Sequence, residues 1–71
     1  MSAAQLAHLI AITAIGLEKT RSYLRLFPYA RDREVLLTQE NHLLLALRHL
    51  HVAQEEAETR EIRQRLAVTW Q

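Results

Sequence analysis

Apolar residues in the first third of the chain recur every three or four positions, which is the pattern of a helix that turns one face towards a core. The stripe consists of Ala3, Leu6, Ile10, Thr13, Leu17, Thr20, Leu24 and Phe27. Ser2 precedes it and can act as a helix N-cap. Pro28 disfavours helical geometry at Phe27 and has no N–H to donate. The pattern predicts a first helix over about 3–27 and a turn over 28–32.

A second helix is predicted from residue 33 to about 68, because this stretch lacks Gly and Pro and is rich in good helix formers. Asp32 is suited to cap it. Its main apolar stripe is Leu36, Leu43, Leu47, Leu50 and Ala57. The composition becomes charged beyond Val52, so a boundary near 53–56 with a separate third helix stays open. The predicted fold class is all-α: one domain over 1–71, an antiparallel helical hairpin completed by oligomerisation or by a partner chain.

The two predicted helices leave apolar residues that a hairpin alone does not bury. Helix 2 is longer than helix 1, so its last turns have nothing beside them. Helix 1 also carries apolar residues off its main stripe, and the leucines at 43–47 cover more than half of the circumference of helix 2. We expect the partner-binding residues to be Leu9, Ile12, Ile15, Leu43, Leu44, Leu47, Leu50, Ile62, Leu66 and Trp70.

The composition favours completion by another chain. A protein of 71 residues is marginally stable on its own, and this one has no cysteine for disulfides. Nine Lys and Arg against eight Asp and Glu give a net charge of +1, which argues against a dedicated polyanion binder. The expected partner is therefore another protein or a second copy of the chain. Within helix 2, we expect Glu61 to be a solvated carboxylate that pairs with Arg65.

Catalytic and metal chemistry find little support in the residues. There is no cysteine nucleophile, no Gly-rich phosphate loop and no serine with an evident base. The four histidines, His8, His42, His49 and His51, lack the one-turn spacing of metal ligands. We expect no enzymatic activity, no metal and no cofactor. A metal site shared by His8 and His42 across an oligomer stays open.

Basic residues near the turn define an alternative function. Lys19, Arg21, Arg25, Arg31 and Arg33 lie among three aromatic rings, a combination that can bind RNA. Three acidic residues in the same segment reduce its charge to +2. The alternative is a homodimeric four-helix-bundle regulator with an RNA-binding face. No membrane partner is expected, because the apolar run over 3–17 is shorter than the roughly 20 residues that span a bilayer, and the expected location is the cytoplasm.

The layout resembles a known family. Leu17 and Glu18 lead into Tyr23 and Leu24, the chain breaks at Pro28, and a leucine-rich helix follows through Leu43, Leu47 and Leu50. This order is similar to that of the co-chaperones of type III secretion needle subunits, over about residues 6–53. The resemblance implies a helical hairpin that pairs with a helical chaperone and keeps a secretion substrate soluble. The charged extension over 54–71 departs from the family pattern.

Overall fold

Two helices make up the regular structure of residues 1–69, the part of the chain that the computed structural model describes. Helix α1 spans Ala3–Leu26 and helix α2 spans Arg33–Thr69. They pack against each other side by side as an antiparallel hairpin, and the molecule is a rod of 63 × 14 × 13 Å. The all-α hairpin predicted from the sequence is confirmed.

Helix α1 begins in a capping box. The Ser2 side chain accepts a hydrogen bond from Gln5 N–H at 3.1 Å, and the Gln5 side chain accepts one from Ser2 N–H at 2.9 Å. These bonds satisfy N–H groups that the helix itself leaves without partners. The helix ends at Leu26, one residue before the predicted bound, because Phe27 takes a non-helical C-cap conformation ahead of the proline.

The turn is short and hydrogen-bonded. Ala30 N–H donates to the Phe27 carbonyl, and Arg33 N–H donates to the Ala30 carbonyl. The Asp32 carbonyl accepts from Leu36 N–H, which places Asp32 at the N-cap position of α2 as predicted. Helix α2 then continues without interruption, so the alternative with a separate third helix is wrong. Its charged half contains good helix formers and no breaker.

The seam between the helices follows a heptad pattern on both of them. Its buried members are Leu6, Leu17, Thr20, Leu24 and Ala57. On α2 the seam residues alternate at spacings of four and three: Leu36, Glu40, Leu43, Leu47, Leu50, Gln54, Ala57 and Glu61. This alternation keeps one side of a helix in contact with its neighbour over several turns. Phe27 continues the stripe of α1 in sequence but is 52% exposed, because it lies outside the helix.

Polar contacts between the helices show the register of the hairpin. Ala3 N–H donates to Glu61 Oε1 at 3.0 Å, Arg60 donates to the Met1 carbonyl at 3.1 Å, and Arg21 Nε lies 3.2 Å from Glu40 Oε2. The start of α1 therefore lies beside residues 60 and 61 of α2. Residues 62–69 of α2 extend beyond the end of α1, and we call this segment the overhang.

Candidate protein-binding surfaces

The hairpin buries few of its apolar side chains. Among the described residues, only Leu6, Leu17, Leu24 and Ala57 are buried apolar residues. Large apolar side chains are instead exposed along both helices and at the turn, where Tyr29 is 97% exposed. Two packed helices can each cover only one side of the other, so these exposed side chains lie on sides of the helices that the hairpin does not cover.

The first such surface is the outer face of α1, on the side of the helix opposite the seam. Its helical members repeat at spacings of three and four: Gln5, His8, Ile12, Ile15, Lys19, Ser22 and Leu26. Met1, just before the helix, borders the same face beside Gln5 and His8. The two isoleucines at its centre are 52% and 57% exposed. Ile12 and Ile15 were predicted as partner-binding residues and lie on this face. Leu9, predicted with them, is half-buried at its edge.

The second surface is the outer face of α2, which we define by Leu37, Leu44, Ile62 and Leu66. Leu44 is 40% exposed, whereas its neighbours Leu43 and Leu47 are half-buried in the seam. Leu50 is also in the seam. All three are half-buried on the side of α2 that packs on α1, and their predicted role in partner binding stays a prediction. They belong to the stripe that contains Glu40 and Glu61, both of which bond to α1.

The overhang carries the C-terminal part of the outer face of α2. Ile62 is 55% exposed and Leu66 is 53% exposed, and their spacing of four residues places them on one side of the helix. The distance from Leu44 to Ile62 is eighteen residues, which is five helical turns, so these residues share a side with Leu44. Val68 is a further exposed apolar residue of the overhang. Trp70, also predicted to bind a partner, lies outside the described residues.

Sequence reasoning missed the role of Glu61. We expected a solvated carboxylate, yet Glu61 is half-buried in the seam and accepts a hydrogen bond from the first N–H of α1. A carboxylate at this position also interacts favourably with the positive end of the helix dipole. The heptad spacing could have placed Glu61 in the seam. Gln54, Ala57 and Glu61 continue the spacing of the leucine stripe that begins at Leu36.

The basic residues near the turn are not gathered on one face. Arg21 pairs with Glu40 beside the seam, and Arg25 donates to the Ser22 hydroxyl. Arg33 donates to the Pro28 carbonyl in the turn, next to the exposed Arg31. Lys19 lies on the outer face of α1, on a different side from Arg21. The aromatic rings of Tyr23 and Phe27 contact each other in a tilted arrangement, with centroids 4.9 Å apart and an angle of 44° between the ring planes.

The histidines do not converge. His8, His42, His49 and His51 are all exposed, and within residues 1–69 no three His, Asp or Glu side chains come together in a group that could hold a metal ion. The hollows on the surface of this part of the chain are shallow grooves. One of the broader ones runs along α2 between Val52 and Ala67.

Neither described helix contains a stretch long and apolar enough to cross a bilayer.

Comparisons with protein-family models, with curated protein sequences and with solved structures give no match for this chain.

Proposed function

We propose that this protein is a helical protein-binding module, a chaperone, co-chaperone or adaptor that shields an apolar helical surface of another protein. The observation that supports this most is the outer face of α2. Leu44, Ile62 and Leu66 are exposed on one side of a helix whose other side is already occupied by α1. Exposed leucines and isoleucines in register are typical of a surface that receives an amphipathic helix.

The geometry suggests how the partner is held. From Leu44 to Leu66 the outer face of α2 extends over about 33 Å, the length of a helix of roughly 22 residues. An apolar helix lying along this face would place its own apolar side chains against Leu44 near the middle of the hairpin and against Ile62 and Leu66 on the overhang. Arg48 and Glu55 lie on this same side of α2, between the apolar contacts, so the partner helix would have to meet them with polar side chains, which restricts the register of binding.

The resemblance to co-chaperones of type III secretion needle subunits supports a narrower version of this proposal. The partner would then be a helical chaperone or a secretion substrate whose apolar helix is kept from aggregating before export. The hairpin over residues 6–53 corresponds to the part that resembles the family. The continuous extension of α2 would enlarge the binding surface beyond it, through Ile62 and Leu66.

RNA binding is less well supported by the geometry. Arg21 and Arg33 donate hydrogen bonds within the chain, and Lys19 lies on a different side of α1 from Arg21. An RNA-binding helix face needs its cations on one side, where each can reach a phosphate. The same residues are better explained as contacts that hold the turn and the seam.

Photo-crosslinking in the cells that make the protein tests the proposal. A crosslinking amino acid at position 44 or 66 should react with an apolar helix of a different polypeptide. The matched control positions are His49 and Glu56, which are exposed on another side of α2. Equal crosslinking at all four positions, or crosslinks only to other copies of this chain, would overturn the proposal.

A solubility assay tests the shielding role itself. The crosslinked partner, produced alone, should aggregate, and co-production with the native chain should keep it in solution. The double variant Leu44→Gln, Leu66→Gln should lose this effect while keeping its helical circular dichroism. A partner that is equally soluble with and without this protein would show that the contact has no chaperone role.

A further inference from the structure

We infer that the outer face of α1 is the docking site for a second copy of this chain, which lies antiparallel across it, so that the four helices of the dimer form one layer with the two α1 helices at its centre. This surface is separate from the outer face of α2, so the inference does not rest on the proposed function. It does rest on the chemistry of the residues along α1 and on the order in which they occur.

The outer face of α1 matches the same face of a second copy when the two helices are antiparallel. In an antiparallel pair related by a two-fold axis, each residue of one copy faces a fixed residue of the other, and the contact is the same in both directions. With the axis between residues 13 and 14, the helical positions of this face pair among themselves. Gln5 meets Ser22, His8 meets Lys19 and Ile12 meets Ile15, and Leu26 lies opposite the end of the face that Met1 borders just before the helix begins.

Along the centre of the face this arrangement places like chemistry together, and at its edge it sets Leu9 opposite Glu18. The apolar residues Met1, Ile12, Ile15 and Leu26 are 73%, 52%, 57% and 72% exposed in the single chain, and each would be covered by another apolar side chain. The polar residues face polar residues, and an imidazole nitrogen of His8 can accept a hydrogen bond from the Lys19 ammonium.

The outer face of α1 has a shallow hollow near each of its ends. A shallow hollow at one end is lined by Met1, Ala4 and His8, together with Gln5 and Leu9. A second hollow at the other end is lined by residues that include Lys19, Tyr23 and Leu26. The two-fold axis exchanges these hollows. It sets the small Ala4 opposite the large Tyr23 and places Leu26 over the hollow that Met1 and His8 border.

A parallel arrangement would be less favourable. It would place Lys19 of one copy against Lys19 of the other within an apolar surface, and like charges at close range repel. It would also align the dipoles of the two α1 helices. The antiparallel pairing separates the two Lys19 side chains. No Asp, Glu, Lys or Arg occurs in the first 17 residues, so the isoleucine pairs at the centre bring no charge together.

Disulfide trapping tests the pairing directly, because the native chain contains no cysteine. Two single variants, His8→Cys and Lys19→Cys, are purified, mixed at equal concentration and oxidised. Antiparallel pairing predicts mainly the mixed 8–19 disulfide. The two residue-8 positions of a dimer would lie about 16 Å apart along the helices, too far for a disulfide.

The controls make the outcome decisive. Ala7 is exposed next to His8 but lies off the outer face, so the variant Ala7→Cys should crosslink poorly to Lys19→Cys. A statistical mixture of all three disulfides would mean random collision, and a predominance of 8–8 and 19–19 bonds would mean parallel pairing. Either result would overturn the inference. Both cysteines replace exposed side chains of an otherwise native chain, so the hairpin should keep its fold.

Sedimentation equilibrium provides a second test. The native chain should be a dimer, and the double variant Ile12→Gln, Ile15→Gln should raise the dissociation constant on the order of 100-fold, because each dimer loses four buried isoleucines. Val35→Gln, which replaces an exposed apolar residue of α2, is the control and should leave the constant unchanged. A native chain that sediments as a monomer at millimolar concentration would contradict the inference.

The variants also separate this inference from the proposed function. Leu44→Gln with Leu66→Gln should abolish partner binding and leave the dimer intact. Ile12→Gln with Ile15→Gln should do the reverse if the two faces act independently. Loss of self-association by the Leu44, Leu66 variant would place the second copy on α2 and overturn the assignment to α1.

Discussion

The backbone N–H of Ala3 donates a hydrogen bond of 3.0 Å to the carboxylate of Glu61. This bond joins the first residue of α1 to the C-terminal part of α2, at the end of the hairpin away from the turn. The first N–H groups of a helix have no partner within the helix, and a carboxylate there also interacts with the helix dipole. Glu61 therefore caps α1 from the neighbouring helix. It also fixes where the overhang begins.

Replacing Glu61 by Ala should lower the free energy of unfolding by about 1 kcal/mol, the usual effect of losing an N-terminal cap. Glu61→Gln keeps an acceptor oxygen but removes the charge, so it should lose less. Glu58→Ala, an exposed glutamate on the same helix, is the control and should have little effect. Urea denaturation followed by circular dichroism measures all three, and an equal loss at positions 58 and 61 would contradict the capping role.

The ion pair between Arg21 and Glu40 should contribute little to stability. The two side chains are 40% and 23% exposed, so solvent screens their attraction. A double-mutant cycle with Arg21→Ala and Glu40→Ala should give a coupling free energy of about 0.5 kcal/mol, decreasing with added salt. A coupling several times larger, or one insensitive to salt, would show that the pair is more deeply shielded than the hairpin alone indicates.

Gly16→Ala should stabilise the hairpin. Gly16 lies inside α1 with an ordinary helical conformation, and a Cβ atom added there would meet no atom within 4 Å. Alanine is better than glycine in a helix interior by about 0.8 to 1 kcal/mol. The midpoint of urea denaturation should rise accordingly, with an unchanged slope. A fall in stability would mean that another chain approaches α1 at this position.

Two leucines should respond very differently to truncation. Leu17 is 5% exposed in the seam, and Leu17→Ala should cost about 2 to 4 kcal/mol, enough to unfold a hairpin of marginal stability. Leu66 is 53% exposed on the overhang, beyond the end of α1, and Leu66→Ala should cost less than about 0.5 kcal/mol. Thermal melts compare the two variants, and a similar loss in both would place Leu66 within a core.

The sequence by itself determined the helices and the break between them, because these depend on local chemistry. Ser2 and Gln5 form the capping box within four residues of chain, and Pro28 ends α1 whatever surrounds it. The stripe through Leu6, Leu17 and Leu24 was also readable from its helical spacing.

Only the tertiary structure decided which leucines of α2 face α1. Apolar residues at 43–47 surround more than half of that helix, so periodicity allows several orientations of nearly equal burial. The contacts of Glu40 with Arg21 and of Glu61 with Ala3 identify the one that the folded chain adopts. They place Leu43, Leu47 and Leu50 in the seam and leave Leu44 outside. The partners in these two contacts are separated by 19 and by 58 positions in the sequence. Local sequence patterns do not predict which polar groups will meet over such separations.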